Sequence, residues 1–386
     1  MKKSASSEIR LFTITEVNTT RQFLELEHEW NKVLDRSRDK NIFLTWQYLS
    51  TYWKHFGRDK KLRVLFVEDK NEVIAIAPLR QSRYGFMNSL GYDVIEPLGY
   101  RGLTPEGADY TGLLLGKNEA ECLQLFLNHL VERDDWDFIH MDDIPGTSIL
   151  HDLLPKSSGV IPGFEMEQGA KCPYMPIPNS MDILMNGLSA NLRRNLRRRL
   201  RKLEKDYHRV ELKNYDEFTS IEEAMKIFFE LHQKRWKSQR MPGVFKTKEV
   251  RDFYIDVVKL FADNGWLALY FLTANDEPVA SQYCLEYDRK MYFCLPGFDP
   301  DYSKYGVGNL ILAKIIEKCV EKGIEEYDFL KGDESYKFDW TSTYRRNWGI
   351  RFVNRKFTSS LYRVGIQMVK QIKMDRLLGR ILDQKK

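Results

Sequence analysis

The chain has no run of about 18 consecutive apolar residues, so no membrane-spanning helix is expected. The opening stretch Met1–Phe12 carries two lysines but no apolar segment, which argues against a secretory leader and for a cytoplasmic protein. Cysteine is sparse: Cys122, Cys172, Cys284, Cys294 and Cys319 are odd in number, scattered, and form no Cys-x-x-Cys pair. That excludes a disulfide framework and a cysteine zinc site, and leaves five reduced, small hydrophobic residues. Of seven histidines, only His140 has acidic neighbours, Asp142 and Asp143, and their spacing matches no metal-ligand pattern. No metal is expected.

What is present is enough apolar material to fold. A hydrophobic content of 43% with 13% aromatic residues excludes disorder as the default, and 386 residues imply two domains. The net charge of +5 hides an asymmetry. Asn191–Arg209 has nine Arg or Lys against Glu204 and Asp206, and Arg355–Lys386 has nine against Asp375 and Asp383. Each segment is therefore +7, and the remainder of the chain is −9. The basicity belongs to two local features, not to the folded body.

The order of elements repeats. Leu62–Glu68, a turn at Asp69-Lys70-Asn71 and Val73–Leu79 read as a hairpin; Leu267–Thr273, a turn at Asn275-Asp276-Glu277 and Val279–Glu286 read as another. Each is followed by a helix, Glu119–Val131 and Gly308–Lys322, and then by a strand, Trp136–Met141 and Tyr327–Leu330. This shared order implies a duplicated α/β unit. Tyr84–Tyr110 reads as loops with short strands, and Phe164–Ile177 as two strands. Further helices are expected over Thr45–His55, Asp216–Gln239 and Thr247–Asp263.

Two basic helices stand apart. From about Ser189, Leu192, Leu196, Leu200 and Leu203 recur at helical spacing while arginines fill the other faces. Two accounts are open: a solvated bridging helix docked by its leucines, or a surface that attracts an anionic coenzyme, nucleotide sugar, RNA or lipid headgroup. No aromatics interleave with these arginines, so stacking on single-stranded nucleic acid is poorly supported. At the end, Leu361, Val364, Met368 and Ile372 give Phe357–Leu382 one apolar side among basic residues. Such a tail either packs on the body or lies on an anionic membrane at its cytoplasmic face.

Met291–Lys337 carries the strongest chemical signal. A strand leads into Gly306-Val307-Gly308, an amphipathic helix, a second strand and the polar cluster Gly332-Asp333-Glu334-Ser335-Tyr336-Lys337. A glycine turn opening a helix after a strand aims free N–H groups and a positive helix end at one point, which suits a phosphate. A tight turn serving only helix–sheet packing has the same signature. The first copy has Thr111-Gly112 before a longer connection instead, so one coenzyme site per chain is expected, in the later copy.

From Phe43 to Phe352 the residues resemble a known group. Trp46 with Pro78-Leu79, Asp109-Tyr110, the arginine-rich helix, Arg235-Trp236, Pro278-Val279-Ala280, Phe298-Asp299 and Gly308-Asn309-Leu310 carry the likeness, with Asp328-Phe329-Leu330-x-Gly332-Asp333-Glu334-x-Tyr336-Lys337. In this order they resemble the CelD/BcsL-type acyltransferases, the BioF2-like branch of the GNAT superfamily, which is similar to the Fem peptidoglycan-bridge transferases. The resemblance implies an α/β (α+β) fold of tandem GNAT-like units, each a mixed, mainly antiparallel sheet flanked by helices. It divides the chain into a degenerate N-terminal domain (1–178), a linker with the basic helix (179–215), an acyl-CoA-binding domain (216–356) and a basic C-terminal helix (357–386).

It also implies acyl-CoA, with acetyl-CoA first, as co-substrate. In the wider superfamily the pyrophosphate lies on an Arg/Gln-x-x-Gly-x-Gly/Ala turn. The corresponding run here is Ser303-Lys304-Tyr305-Gly306-Val307-Gly308, with Ser303 where Arg or Gln is usual. Backbone donors from Tyr305 to Asn309 remain, and Lys304 offers charge. The implied reaction is direct attack of an amine or hydroxyl on the thioester, which needs a base, an oxyanion donor and a proton for the thiolate. Asp333 is the candidate base, Tyr336 the proton donor and Lys337 the electrostatic stabiliser; the alternative is a surface turn with Asp333 as a helix cap. Asp109, Tyr110, Arg235, Trp236 and Asp299 are candidates for the acceptor, a sugar or cell-envelope precursor. Two rival functions remain: a Fem-like aminoacyl transfer from charged tRNA, and a catalytically silent module in polysaccharide assembly.

Overall fold

The computed structural model describes residues 12–86, 90–100, 107–157 and 163–354. The helix expected over 357–386 lies outside the described residues. The chain forms two compact units. One takes the residues up to Tyr100, Tyr110–Gln168 and those from Trp348; the other takes Gly169–Asn347 with the short stretch ending at Asp109.

In the first unit, β1 (Thr13–Val17), β2 (Lys61–Asp69), β3 (Glu72–Phe86) and β4 (Leu90–Pro97) pair antiparallel in sequence. β5 (Leu114–Leu115) joins β3, and β6 (Phe138–Pro145) pairs parallel with β4 through Val94–Phe138 and Ile95–Ile139. The helices are α1 (Thr20–Leu24), α2 (Glu27–Arg36), α3 (Trp46–Phe56), α4 (Glu119–Val131) and α5 (Ile149–Ser157). Thr19 and Thr45 cap α1 and α3 by accepting from Gln22 N and Tyr48 N. Where loops with short strands are expected over Tyr84–Tyr110, the part up to Pro97 belongs to the long β3–β4 hairpin. It escaped the hydrophobic pattern because part of its buried face is polar: Glu96 accepts from Arg80, Ser82 and Tyr84 across the strands.

The second unit begins within β7 (Glu165–Pro176), one strand where two were expected. α6 (Met181–Gly187), α7 (Ala190–Asp206), β8 (Val210–Asn214), α8 (Ile221–Ser238) and α9 (Lys248–Asp263) follow. Then come β9 (Leu267–Ala274), β10 (Glu277–Tyr287), β11 (Lys290–Phe298), α10 (Val307–Lys322), β12 (Glu326–Asp328) and the single turn α11 (Ser335–Phe338). Their strand order is β7-β12-β11-β10-β9-β8, with only β11–β12 parallel. The β9–β10 and β10–β11 hairpins turn on Asn275-Asp276 and Asp288-Arg289, all four at positive φ, as two-residue hairpin loops require. A last strand, β13 (Tyr344–Val353), buries Ile350 and Phe352 in the first unit's core.

Each unit is thus a mixed, mainly antiparallel sheet flanked by helices, the architecture of a GNAT-like fold. The basic helix α7, expected in a linker, packs inside the second unit. Ser189 caps it, and Leu192, Leu196 and Leu203 share a core with Leu310, Ile311 and Ile315 of α10. At about 1.5–3 kcal/mol for each buried leucine, this docking fixes α7 against α10.

Candidate active site

The site begins where two strands part. β11 and β12 pair in parallel only at Lys290–Glu326, Met291–Tyr327 and Tyr292–Asp328. Beyond Asp328 the chain follows β7 instead, with Phe329 N donating to Pro173 O and Gly332 N to Lys171 O. Asp328, fully buried, turns it by accepting from Leu330 N at 2.8 Å, and Leu330 takes a left-handed φ of 56°. β11 continues to Phe298, and among the described residues no strand pairs with it on that edge beyond Tyr292. Its register against β10 slips between Phe293 and Leu295, leaving Cys294 as a bulge. A wedge therefore opens between β11 and the segment after β12, lined on one side by strand main chain.

The wedge leads to the start of α10. After β11, Asp299 caps a short 3-10 turn, Pro300–Tyr305, by accepting from Asp301 N. Burial alone would raise the Asp299 carboxyl, but Lys234 Nζ at 2.5 Å and Asp301 N hold it below the ordinary range. Asp299, expected to touch substrate, is committed to this turn. Gly306 follows at φ 63°, the left-handed region that only glycine enters freely. Asn309 N and Leu310 N donate back to Gly306 O, and no side chain caps the first turn. The first amides of the helix, Val307 and Gly308 among them, have no partner within the helix; Gly308 is exposed and Val307 is buried.

Tyr305, by contrast, is a packing residue. Its ring is buried, its hydroxyl donates to Asp206 at 2.6 Å, and the ammoniums of Lys202 and Lys304 lie over it at 5.4 and 4.9 Å. The hydrogen bond with Tyr305 raises the Lys304 ammonium above its usual range, so it stays charged. Ser303 is exposed.

Above the wedge lies α8. A Cβ on Gly297 would meet His232 N at 2.7 Å, so glycine lets α8 approach β11 closely. That approach carries Arg235 over the rings of Trp236, at 4.9 Å, and Phe298, at 5.8 Å. Burial lowers the Arg235 guanidinium, while Tyr336 and Glu334 oppose the shift. Among the described residues Arg235 has no ion pair, and the buried Trp236 Nε1 has no acceptor. Tyr336 packs edge-on against Phe293, with centroids 6.4 Å apart, beside Arg235. Burial, then Glu334, push its hydroxyl well above the usual tyrosine range.

The rest of the polar cluster disperses. Asp333 is exposed, and Glu334, not Asp333, occupies the N-cap of α11. Lys337 is buried, and its ammonium donates to Lys331 O at 3.0 Å and pairs with Glu334 at 2.9 Å. It therefore staples α11 to the loop after β12. Asp109 is buried with its carbonyl accepting from Asn347 Nδ2, and Tyr110 is buried edge-on against Phe43. Arg235 thus faces Trp236, Phe298 and Tyr336, and Phe298 is in turn the neighbour of Gly308. Cys294 and Phe298 were not foreseen in the wedge; the bulge has no sequence mark, whereas Phe298 ends a legible strand.

Among the described residues no group of acidic, cysteine and histidine side chains could hold a metal, and no helix is long and apolar enough to cross a membrane.

A family model described as an acetyltransferase (GNAT) domain matches residues 190–338, from the start of α7 to α11. By sequence, no curated protein matches the chain. The solved structure of FemX superposes with a TM-score of 0.61 at 13% identity, over 91% of this chain and 99% of that one, a likeness of fold alone. The C-terminal domain of a putative lysylphosphatidylglycerol synthetase from Agrobacterium fabrum gives 0.49 at 10% identity, over 86% and 92% of the two chains. A tandem GNAT protein from the clavulanic acid biosynthesis pathway gives 0.47 at 9%, over 88% and 98%. Scores below 0.5 carry no argument about mechanism.

Proposed function

We propose that the chain is an acyl-CoA-dependent N- or O-acyltransferase whose donor lies in the wedge of the second unit, its pyrophosphate at the start of α10. One observation carries this reading: pairing of β11 with β12 ends at Tyr292, and among the described residues the edge Leu295–Phe298 meets no further strand and runs toward a helix start with no side-chain cap. An extended amide-bearing arm can pair with strand main chain, and a diphosphate can take the amides of Val307 and Gly308. The match of residues 190–338 to an acetyltransferase domain supports the same assignment.

In the transfer, an acceptor amine or hydroxyl attacks the thioester carbonyl carbon, the acceptor loses its proton, and the carbon–sulfur bond breaks to leave a thiolate. Charge builds first on the carbonyl oxygen and then on sulfur. Arg235, half-buried and without an ion pair among the described residues, is the cation that suits the first charge. Tyr336 suits the second as a hydrogen-bond donor rather than as an acid. A thiol titrates near 8.5, so full proton transfer from a hydroxyl raised above the tyrosine range would run uphill. The proton reaches sulfur from solvent, while Tyr336 stabilises the thiolate. Lys337 acts by positioning α11. Asp333, exposed nearby in sequence, remains the base candidate once an acceptor is bound. A sugar or cell-envelope precursor is the acceptor class, on the resemblance to the CelD/BcsL-type enzymes.

A second reading, aminoacyl transfer from charged tRNA, is favoured by the outer face of α7. Arg194, Arg197, Arg198 and Arg201 are exposed there, and among the described residues none is ion-paired. Calorimetric titration with acetyl-CoA and longer acyl-CoAs separates the two. Saturable binding supports the first. No binding of any acyl-CoA, with a steeply salt-dependent affinity for tRNA in its place, would select the second.

A further inference from the structure

Arg199 stands on the apolar face of its helix. α7 buries Leu192, Leu196 and Leu203, and position 199, three residues after Leu196 and four before Leu203, falls on the same stripe. The side chain is half-buried and lies on Gly306: a Cβ there would meet Arg199 Nη1 at 2.5 Å and Cζ at 2.8 Å. Among the described residues no carboxylate or carbonyl is bonded to this guanidinium. Asp206, further along α7, is taken by the Tyr305 hydroxyl, and Asp299 by Lys234.

An unpaired cation is thus wedged at the positive end of α10. A helix start favours anions and disfavours cations. The leucine packing of α7 holds the guanidinium there regardless, and the uncapped first turn offers it no counter-charge. An anion beside Gly306 would satisfy the guanidinium and the helix amides together. Ser303, exposed and neutral, supplies no such charge.

We infer that Arg199 is the cationic clamp on the donor's pyrophosphate, delivered from α7 in place of the side chain that the turn lacks at Ser303. This rests on the acyl-CoA reading and assigns its diphosphate contact to a separate element. The clamp grips the diphosphate, not the 3′-phosphate or the pantetheine arm.

Titration of the full chain tests it. Arg199→Ala weakens CoA and 3′-dephospho-CoA alike, by about 10- to 100-fold, the worth of charge-assisted hydrogen bonds. Phosphate-free acetyl-pantetheine, measured by competition, binds as to the wild type. Lys205→Ala, an exposed position of α7, keeps wild-type affinity for CoA. Adding Ser303→Arg to Arg199→Ala restores most of the lost affinity, which also reports an intact fold. Wild-type CoA affinity in Arg199→Ala overturns the clamp and leaves the acyl-CoA reading standing. Equal weakening of acetyl-pantetheine overturns it as well, because the defect then is not at the diphosphate. Absence of CoA binding by the wild-type chain overturns both.

Discussion

α4 and α10 occupy the same place in the repeated order of elements, after a three-strand meander and before a strand parallel to its last member, yet their first turns offer opposite things to an anion. α10 starts from a left-handed glycine, has no acidic residue in its first turn, and meets Arg199. α4 starts from Asn118, also left-handed, but puts Glu119 and Glu121 in its first turn. Two carboxylates stabilise a helix start and repel a phosphate from it. The strand openings differ too. Past the last β4–β6 pair, Tyr100 packs edge-on against His140 and donates to Asp142 at 3.1 Å, so the first unit places a side chain of its own there. Buried charge in the first unit is paired, as Arg80 with Glu96, each about 2% exposed. The two copies therefore share an order of elements but not the charge at a helix start, which is set by a few side chains.

The sharpest way to break this comparison is to give α10 what α4 has. Position 308 is open, its built Cβ meeting nothing nearer than Phe298 at 4.0 Å, so Gly308→Glu fits without strain. A glutamate there also suits the helix dipole. CoA affinity is expected to fall more than about 100-fold while the melting temperature holds or rises, since a like charge then meets the diphosphate. Unchanged affinity would move the anion site elsewhere.

The second effect in size concerns acid. His232, fully buried among Phe228, Phe245 and Trp236, is lowered to about 4 from 6.5, chiefly by burial. The unfolded chain then binds the proton more readily than the native one, so this stability is complete above pH 6.5 and drains as pH falls toward 4. The loss is about 3 kcal/mol at most. Urea melts at pH 7, 5.5 and 4.5 should show it, and His232→Gln, which cannot titrate, should flatten the slope; an equal slope in both proteins would assign the loss to other groups.

Smaller, and specific to chemistry, is Tyr336→Phe. Turnover should drop about 10- to 100-fold, the worth of one hydrogen bond to a charged group, with CoA affinity within about twofold of wild type. Equal losses in turnover and affinity would make Tyr336 a packing residue. The smallest effect lies in the first unit. Glu119→Gln with Glu121→Gln should cost about 0.3–1 kcal/mol per charge from the helix dipole and leave CoA stoichiometry at one per chain. A second binding event in that variant would show that the two carboxylates alone had closed a latent site.

Much of this was legible in the residues because local rules dominate there. Ser189, Thr45 and Thr247 announced the starts of α7, α3 and α9, and the side chain of each accepts a backbone N–H in the first turn. Gly306 announced a left-handed residue at the start of α10. Long-range features were silent. The parting of β11 from β12 depends on the chain after Asp328 choosing β7, which no local pattern records. Lys337 reads as an electrostatic stabiliser or as part of a surface turn, and its ammonium instead meets a carbonyl of Lys331 that only the fold supplies. Arg199 escapes the pattern: the spacing assigns the arginines to the faces away from the leucines, whereas the fold lays this one beside Gly306.

Amide hydrogen exchange with and without saturating acetyl-CoA tests the central claim most directly, because it reads both helix starts in one experiment. Slowed exchange in peptides covering Phe293–Phe298 and Tyr305–Leu310, with no change over Lys117–Leu123, is the result expected if only the second unit holds the donor. Protection at the start of α4, or none at the start of α10, would contradict it.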